Sequence, residues 1–181
     1  MGRRGATLIV VAASLASAAA ATGSVLGQTL RLGHGLGPWH LGMKRTTAKG
    51  LHRSVATTPT GKGCLTAVLP ENASLVDYYP DLRLGWTGDR ANGFRLLDVA
   101  STKAGDRTEA GFVVGRSTLA QVRKRYPSAR PQAPTRWHGT ALGSRVVVVY
   151  FPKGAEFGEN MLYWFDGRGV LRAIETNDAG C

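Results

Sequence analysis

Two glycine-centred segments 73 residues apart constrain this 181-residue chain more than any other feature. Leu36-Gly37-Pro38-Trp39-His40-Leu41-Gly42-Met43-Lys44 precedes a helix-like segment that runs to about Arg53. Gly111-Phe112-Val113-Val114-Gly115-Arg116-Ser117 precedes a clearer helix, Thr118 to Tyr126. Gly42 and Gly115 each follow a few apolar residues and stand just before the helix. A glycine there supplies a backbone turn that other residues resist. A period of this length can decide a whole fold.

The second helix is well specified. Thr118 and Gln121 have capping-box spacing, Leu119, Val122 and Tyr126 share one face, and Pro127 ends the run. The first is poorer: Gly50 interrupts it, Thr46-Thr47 weaken it, and Met43, Thr47 and Leu51 make only a thin stripe. Strand-like stretches follow each helix. After the first come 65–69, 75–79, 82–86 and 94–99; after the second come 145–151, 161–165 and 170–176. Asp166-Gly167-Arg168-Gly169 reads as a hairpin turn. The expectation is an α+β fold of two tandem modules, each a short helical segment packed on an antiparallel sheet of three to four strands. The modules span 30–100 and 111–181. Residues 101–110 read as a polar linker, and Pro127 to Pro134 as a loop.

The N-terminus reads as an export signal over residues 1–21. Arg3 and Arg4 are followed by an uncharged apolar stretch, Ala6 to Ala21, that closes on small residues. The stretch is shorter than the roughly 20 apolar residues of a membrane span. Residues 22–29 then read as a flexible mature N-terminus. Removing the signal takes two of 23 basic residues and leaves all 12 acids, a mature balance of +9. Thr22 to Pro70 holds six basic residues and no acid. Such a protein attracts polyanions such as wall polymers or anionic headgroups. The plain alternative is solubility in an Ala-, Gly- and Arg-rich chain. Cys64 and Cys181 are the two cysteines, and outside the cell such a pair is expected to join as a structural disulfide.

Trp39-His40-Leu41-Gly42-Met43-Lys44-Arg45 resembles the G-M-[ST] motif that opens each half of beta-lactamase inhibitory protein. The motif also occurs in small outer-membrane assembly lipoproteins of similar fold and in secreted actinobacterial proteins. Val114 to Val122 looks like the second copy. The resemblance implies the tandem fold over most of residues 30–181. Lys44 stands where that motif has Ser or Thr, and Arg116 where the second copy has Met. The chain also lacks the cysteines for a disulfide in each module. No contact residue of the inhibitor's interface can be matched, so inhibition is not implied.

No catalytic residue is assigned. His34, His40, His52 and His138 lack zinc-ligand spacing. No serine stands in a nucleophile-elbow context. Gly33-His34-Gly35-Leu36-Gly37 lacks the Lys and Ser/Thr of a phosphate loop. No cofactor or metal is expected, nor any specific nucleic acid. The chain is expected to be a monomer, with no membrane-spanning segment once the signal is removed. The aromatic residues Tyr78, Tyr79, Trp86, Tyr150, Tyr163 and Trp164 fall on expected strands. If one sheet face is open, they form a binding surface; the alternative buries both faces. The function expected is therefore secreted, non-enzymatic binding of a protein or envelope component through an aromatic sheet face. The alternatives are a basic protein that binds wall polyanions and, last, a small extracellular hydrolase.

Overall fold

A computed structural model describes residues 27–51, 56–62, 73–89, 93–134, 136–137, 140–141, 143–151 and 159–177. The expected signal peptide, Cys64, Cys181, His52 and His138 lie outside the described residues. Three short strands come first, β1 Thr29–Arg31, β2 Gly35–Leu36 and β3 Trp39–His40, followed by helix α1, Arg45–Leu51. Four longer strands come next: β4 Ala56–Lys62, β5 Ala73–Tyr78, β6 Leu82–Asp89 and β7 Gly93–Ser101. After β8, Arg107–Thr108, comes α2, Leu119–Arg125. The remaining strands are β9 Arg130–Gln132, β10 Arg136–Trp137, β11 Thr140–Ala141, β12 Arg145–Tyr150, β13 Asn160–Phe165 and β14 Leu171–Asn177. The fold is α+β, mostly sheet, with two short helices among the described residues.

Eight strands form one antiparallel sheet in the order β4-β5-β6-β7-β14-β13-β12-β9. Four strands from the first part of the chain and four from the second meet edge to edge. The seam is β7 with β14, from Ile174 opposite Ser101 to Asn177 opposite Asp98. A smaller sheet, β3-β2-β1-β8, includes the parallel pair β1–β8.

Local chemistry explains the best-defined elements. Val146 to Val149 is a β-branched run that favours an extended, two-faced strand. Asp166 closes the β13–β14 turn by accepting from the amides of Arg168 and Val170, both at 2.9 Å. Those bonds, that to Val170 foremost, hold its pKa below the usual carboxylate value. Thr118 and Gln121 form the expected capping box of α2, each side chain bonding the other's amide.

Register sorts the sheet into two faces. One carries Leu84, Trp86, Val99, Val147, Tyr163 and Ile174, packed with Ala48 of α1, Leu119 and Val122 of α2, and Leu30, Leu36 and Trp39 of the small sheet. This is the main core. The other face carries Val76, Tyr78 and Ala100 in one buried cluster and Val146, Trp164 and Ala173 in another.

Two expectations about connecting segments are corrected. Residues 101–110 are more than a polar linker: Ser101, Asp106 and Thr108 are at most 2% exposed. Asp106 accepts from the Gln28 amide at 2.7 Å and from Ser101 Oγ at 2.6 Å, so buried polar atoms satisfy one another. The same bond ties down the end of the segment expected to be flexible, and Thr29 pairs with Arg107. The expected Pro127 to Pro134 loop contains the edge strand β9.

Candidate functional site

The structure places five of the six expected contact aromatics in the interior. Trp86 and Tyr163 are 1% exposed, Trp164 2%, Tyr78 7% and Tyr79 9%; Tyr150 is half-buried. Trp86, Tyr79 and Tyr163 point to the main core, where Trp39 meets Tyr79 at 5.5 Å and Phe112 meets Tyr163 edge-on at the same distance. Tyr78 and Trp164 lie on the opposite face, also buried. The expected open aromatic face is therefore not formed by these side chains. The physical reason lies in β13, which is apolar on both faces, and burying both costs less than exposing either.

Between the two clusters on the opposite face sits a buried ionic group. Tyr78, Arg83, Ala100 and Glu175 form one cross-sheet row. Arg83 Nη2 reaches over the short Ala100 to Glu175 Oε1 at 2.6 Å and also meets Asp98 Oδ1 at 3.0 Å. Burial pushes the Glu175 pKa up; Arg83 pulls it down, Asp98 adds to the rise, and the net shift is upward. Two carboxylates share one guanidinium, which suits a charge that locks strands together better than one awaiting a substrate.

A second inward pair joins helix to sheet. Arg45 on α1 makes a bidentate contact with Asp77 on β5, Nε to Oδ2 at 2.7 Å and Nη2 to Oδ1 at 2.6 Å. Asp77 is fully buried.

These arrangements turn acids inward. Asp77, Asp106 and Glu175 are buried, and the Asp98 side chain is 20% exposed. Among residues whose burial is described, thirteen Lys and Arg are exposed against three Asp and Glu. The exterior is more cationic than the composition. Arg123, Lys124 and Arg125 are exposed on α2, and the Arg125 guanidinium lies 5.9 Å from the Tyr126 ring centre.

One pocket concentrates this charge. Lys44, Arg45, Thr46 and Lys49 line it from one side, Gly93 and Phe94 from the other, around about 170 Å³. Gly42, with φ +78°, turns the chain into place. Its amide donates to Leu96 O at 2.8 Å, and Leu96 donates back to Met43 O at 2.9 Å. Lys44 and Arg95 then face each other as an isolated antiparallel bridge. Sequence reasoning missed this pocket. Its signal was the acid-free stretch from Thr22 to Pro70, which placed the charge without placing its neighbours on β7.

His34 and His40, which lack zinc-ligand spacing, are exposed and line a broader cleft of about 410 Å³ with Arg31, Gln28, Thr29, Gly35 and Gly37. Its cation is drawn off, with Arg31 Nε 3.8 Å from Glu109. The motif glycines Gly42 and Gly115 both adopt left-handed φ, +78° and +83°. Among the described residues no three His, Cys, Asp or Glu side chains gather as a metal site, and no helix is long and apolar enough to cross a membrane. No family model matches the chain, and no curated protein or solved structure is significantly similar to it.

Proposed function

We propose that this chain is an exported, non-enzymatic binding protein whose cationic exterior takes an anionic component of the cell envelope. The observation that carries this reading is the distribution of charge: acids are consumed inside and cations remain outside. A surface of that kind attracts a polyanion over the Debye length, about 10 Å at 0.1 M salt. Burial of the strand aromatics favours this reading over a protein contact through the sheet face.

The scaffold of the proposal is a pair of tandem modules like those of the resembled family. Gly42 and Gly115 support it through like roles. Each donates its amide at 2.8 Å to a leucine carbonyl on the central strand pair, Leu96 on β7 and Leu171 on β14, just before a helix. A Cys64–Cys181 bond outside the cell completes the proposal, and the intact mass of the secreted chain, short by two hydrogens, is its measurement.

The functional test is retention of the purified mature chain on an anionic wall polymer as salt is raised. Binding at low salt that collapses with increasing ionic strength is the expected result. Passage through the polymer unretained at low salt would refute the reading. Salt-insensitive retention would refute it too, and would point to an apolar contact.

A further inference from the structure

The pocket between α1 and the start of β7 carries more than general charge. Lys44 and Arg95 are cross-strand partners. In such pairs the Cβ atoms lie about 4.5–5.5 Å apart, and like charges there are destabilising. Among the described residues no carboxylate makes an ion pair with Lys44, Lys49 or Arg95.

Lys44 is also poorly suited to its backbone position. Its carbonyl accepts the first bonds of α1, from Thr47 at 3.0 Å and Ala48 at 3.2 Å. It is therefore the helix cap, where Ser, Thr, Asp and Asn are preferred and a cation is disfavoured. The chain itself shows the comfortable solution. Before α2 the corresponding bridge pairs Thr118 with Val170, and Thr118 caps the helix. The fold can thus be built with a hydroxyl opposite an aliphatic residue. At α1 it has a lysine opposite an arginine.

Arg45 borders the same pocket but is held by Asp77. It acts as a fixed wall, and Lys44 and Lys49 supply the uncompensated charge, while Arg95, outside the lining, donates from Nη1 to Gly42 O at 3.1 Å and adds its charge from across the bridge to Lys44. Half-buried Phe94 adds an apolar surface. Pockets that enclose a small molecule run about 300–1,000 Å³. At about 170 Å³ this one fits a single charged group whose remainder lies outside.

We propose that the pocket binds a phosphate group carried on a larger envelope molecule, with Lys44 and Lys49 as its donors and Phe94 against the adjoining carbon atoms. This rests on the cationic-exterior reading above and gives that reading a discrete site. Charge-assisted bonds from Lys and Arg are the strong ones for phosphate oxygens.

The test uses the full mature chain and three probes: glycerol 3-phosphate, a poly(glycerol phosphate) polymer, and vesicles containing phosphatidylglycerol. The double variant Lys44→Ser, Arg95→Val copies the arrangement found before α2. A control removes Arg123 and Lys124 by substitution with Ser. The expected result is saturable glycerol 3-phosphate binding that the double variant weakens by about tenfold or more while its Tm rises, the control being unchanged. A rising Tm excludes misfolding as the cause. Polymer binding without vesicle binding assigns the phosphate to a wall polymer, and the reverse to a lipid headgroup; either result supports the pocket. Undiminished binding by the double variant overturns it, as does an equal loss in the control. In both of those cases, continued retention on anionic polymer leaves the cationic-exterior reading standing. Only failure of the wild-type chain to bind any polyanion removes both.

Discussion

At the scale of single residues, the far face of the sheet depends on two small side chains. Ala100 leaves the space over which Arg83 reaches Glu175. Gly85 lies beneath Asp98, and a methyl group there would collide with the Asp98 carboxylate. Gly85→Ala is expected to displace Asp98 from Arg83 and cost about 1–3 kcal/mol, the usual range for overpacking; denaturant unfolding measures it. Glu175 gives a pH signature. Its folded pKa is raised, so its contribution to stability is full below the ordinary glutamate range. That contribution is lost as pH rises through the raised value. Glu175→Gln keeps the Arg83–Asp98 pair and should flatten the decline in Tm as pH rises above the ordinary glutamate range. Parallel Tm profiles for variant and wild type would rule out Glu175 as the source.

At the scale of elements, legibility followed locality. The capping box of α2 is written in four consecutive residues, and the structure has it as read. Strands β12, β13 and β14 were legible because β-branched and aromatic runs flank a turn whose Asp166 carries its own bonds. Strands β1, β2, β3 and β8 were not. Each has two or three residues, too few for any periodicity, and β1 finds its parallel partner 78 residues away. The aromatic strands were found, but the burial of both faces was not, because alternation says nothing about what packs on the second face. The pocket was unreadable for a similar reason: Lys44 and Lys49 are brought to Phe94 only through the bridge to β7. The two helix caps yield a prediction. Thr118→Ala should cost about 1 kcal/mol, the typical loss for a capping hydroxyl, in chemical denaturation. No loss would mean that tertiary contacts alone hold α2.

At the scale of the whole molecule, the sheet limits how copies can associate. Its edge strands, β4 and β9, each contain a proline, at Pro59 and Pro131, and β4 is further irregular between Pro59 and Gly61. Such edges discourage strand-to-strand pairing between molecules. A polyanion with repeating phosphates is then left to organise the protein, many chains along one polymer, each held by local contacts.

The position of β14 has a consequence in time. It is the last described strand in sequence, yet it sits in the middle of the large sheet, between β7 and β13. A chain made from its N-terminus can lay down β4 to β7 and pair them as they emerge, and later β12 with β13. The two groups share no strand until the final stretch arrives and slots between them. Contacts of such long sequence separation form slowly. Until then β7 and β13 each present an unsatisfied edge, so the unfinished protein is most prone to misassociate in the interval just before completion. A chain stopped before Leu171 should stay in that state, binding a hydrophobic dye and failing to unfold cooperatively. A truncated chain with a sharp unfolding transition would show that the first four strands stand alone.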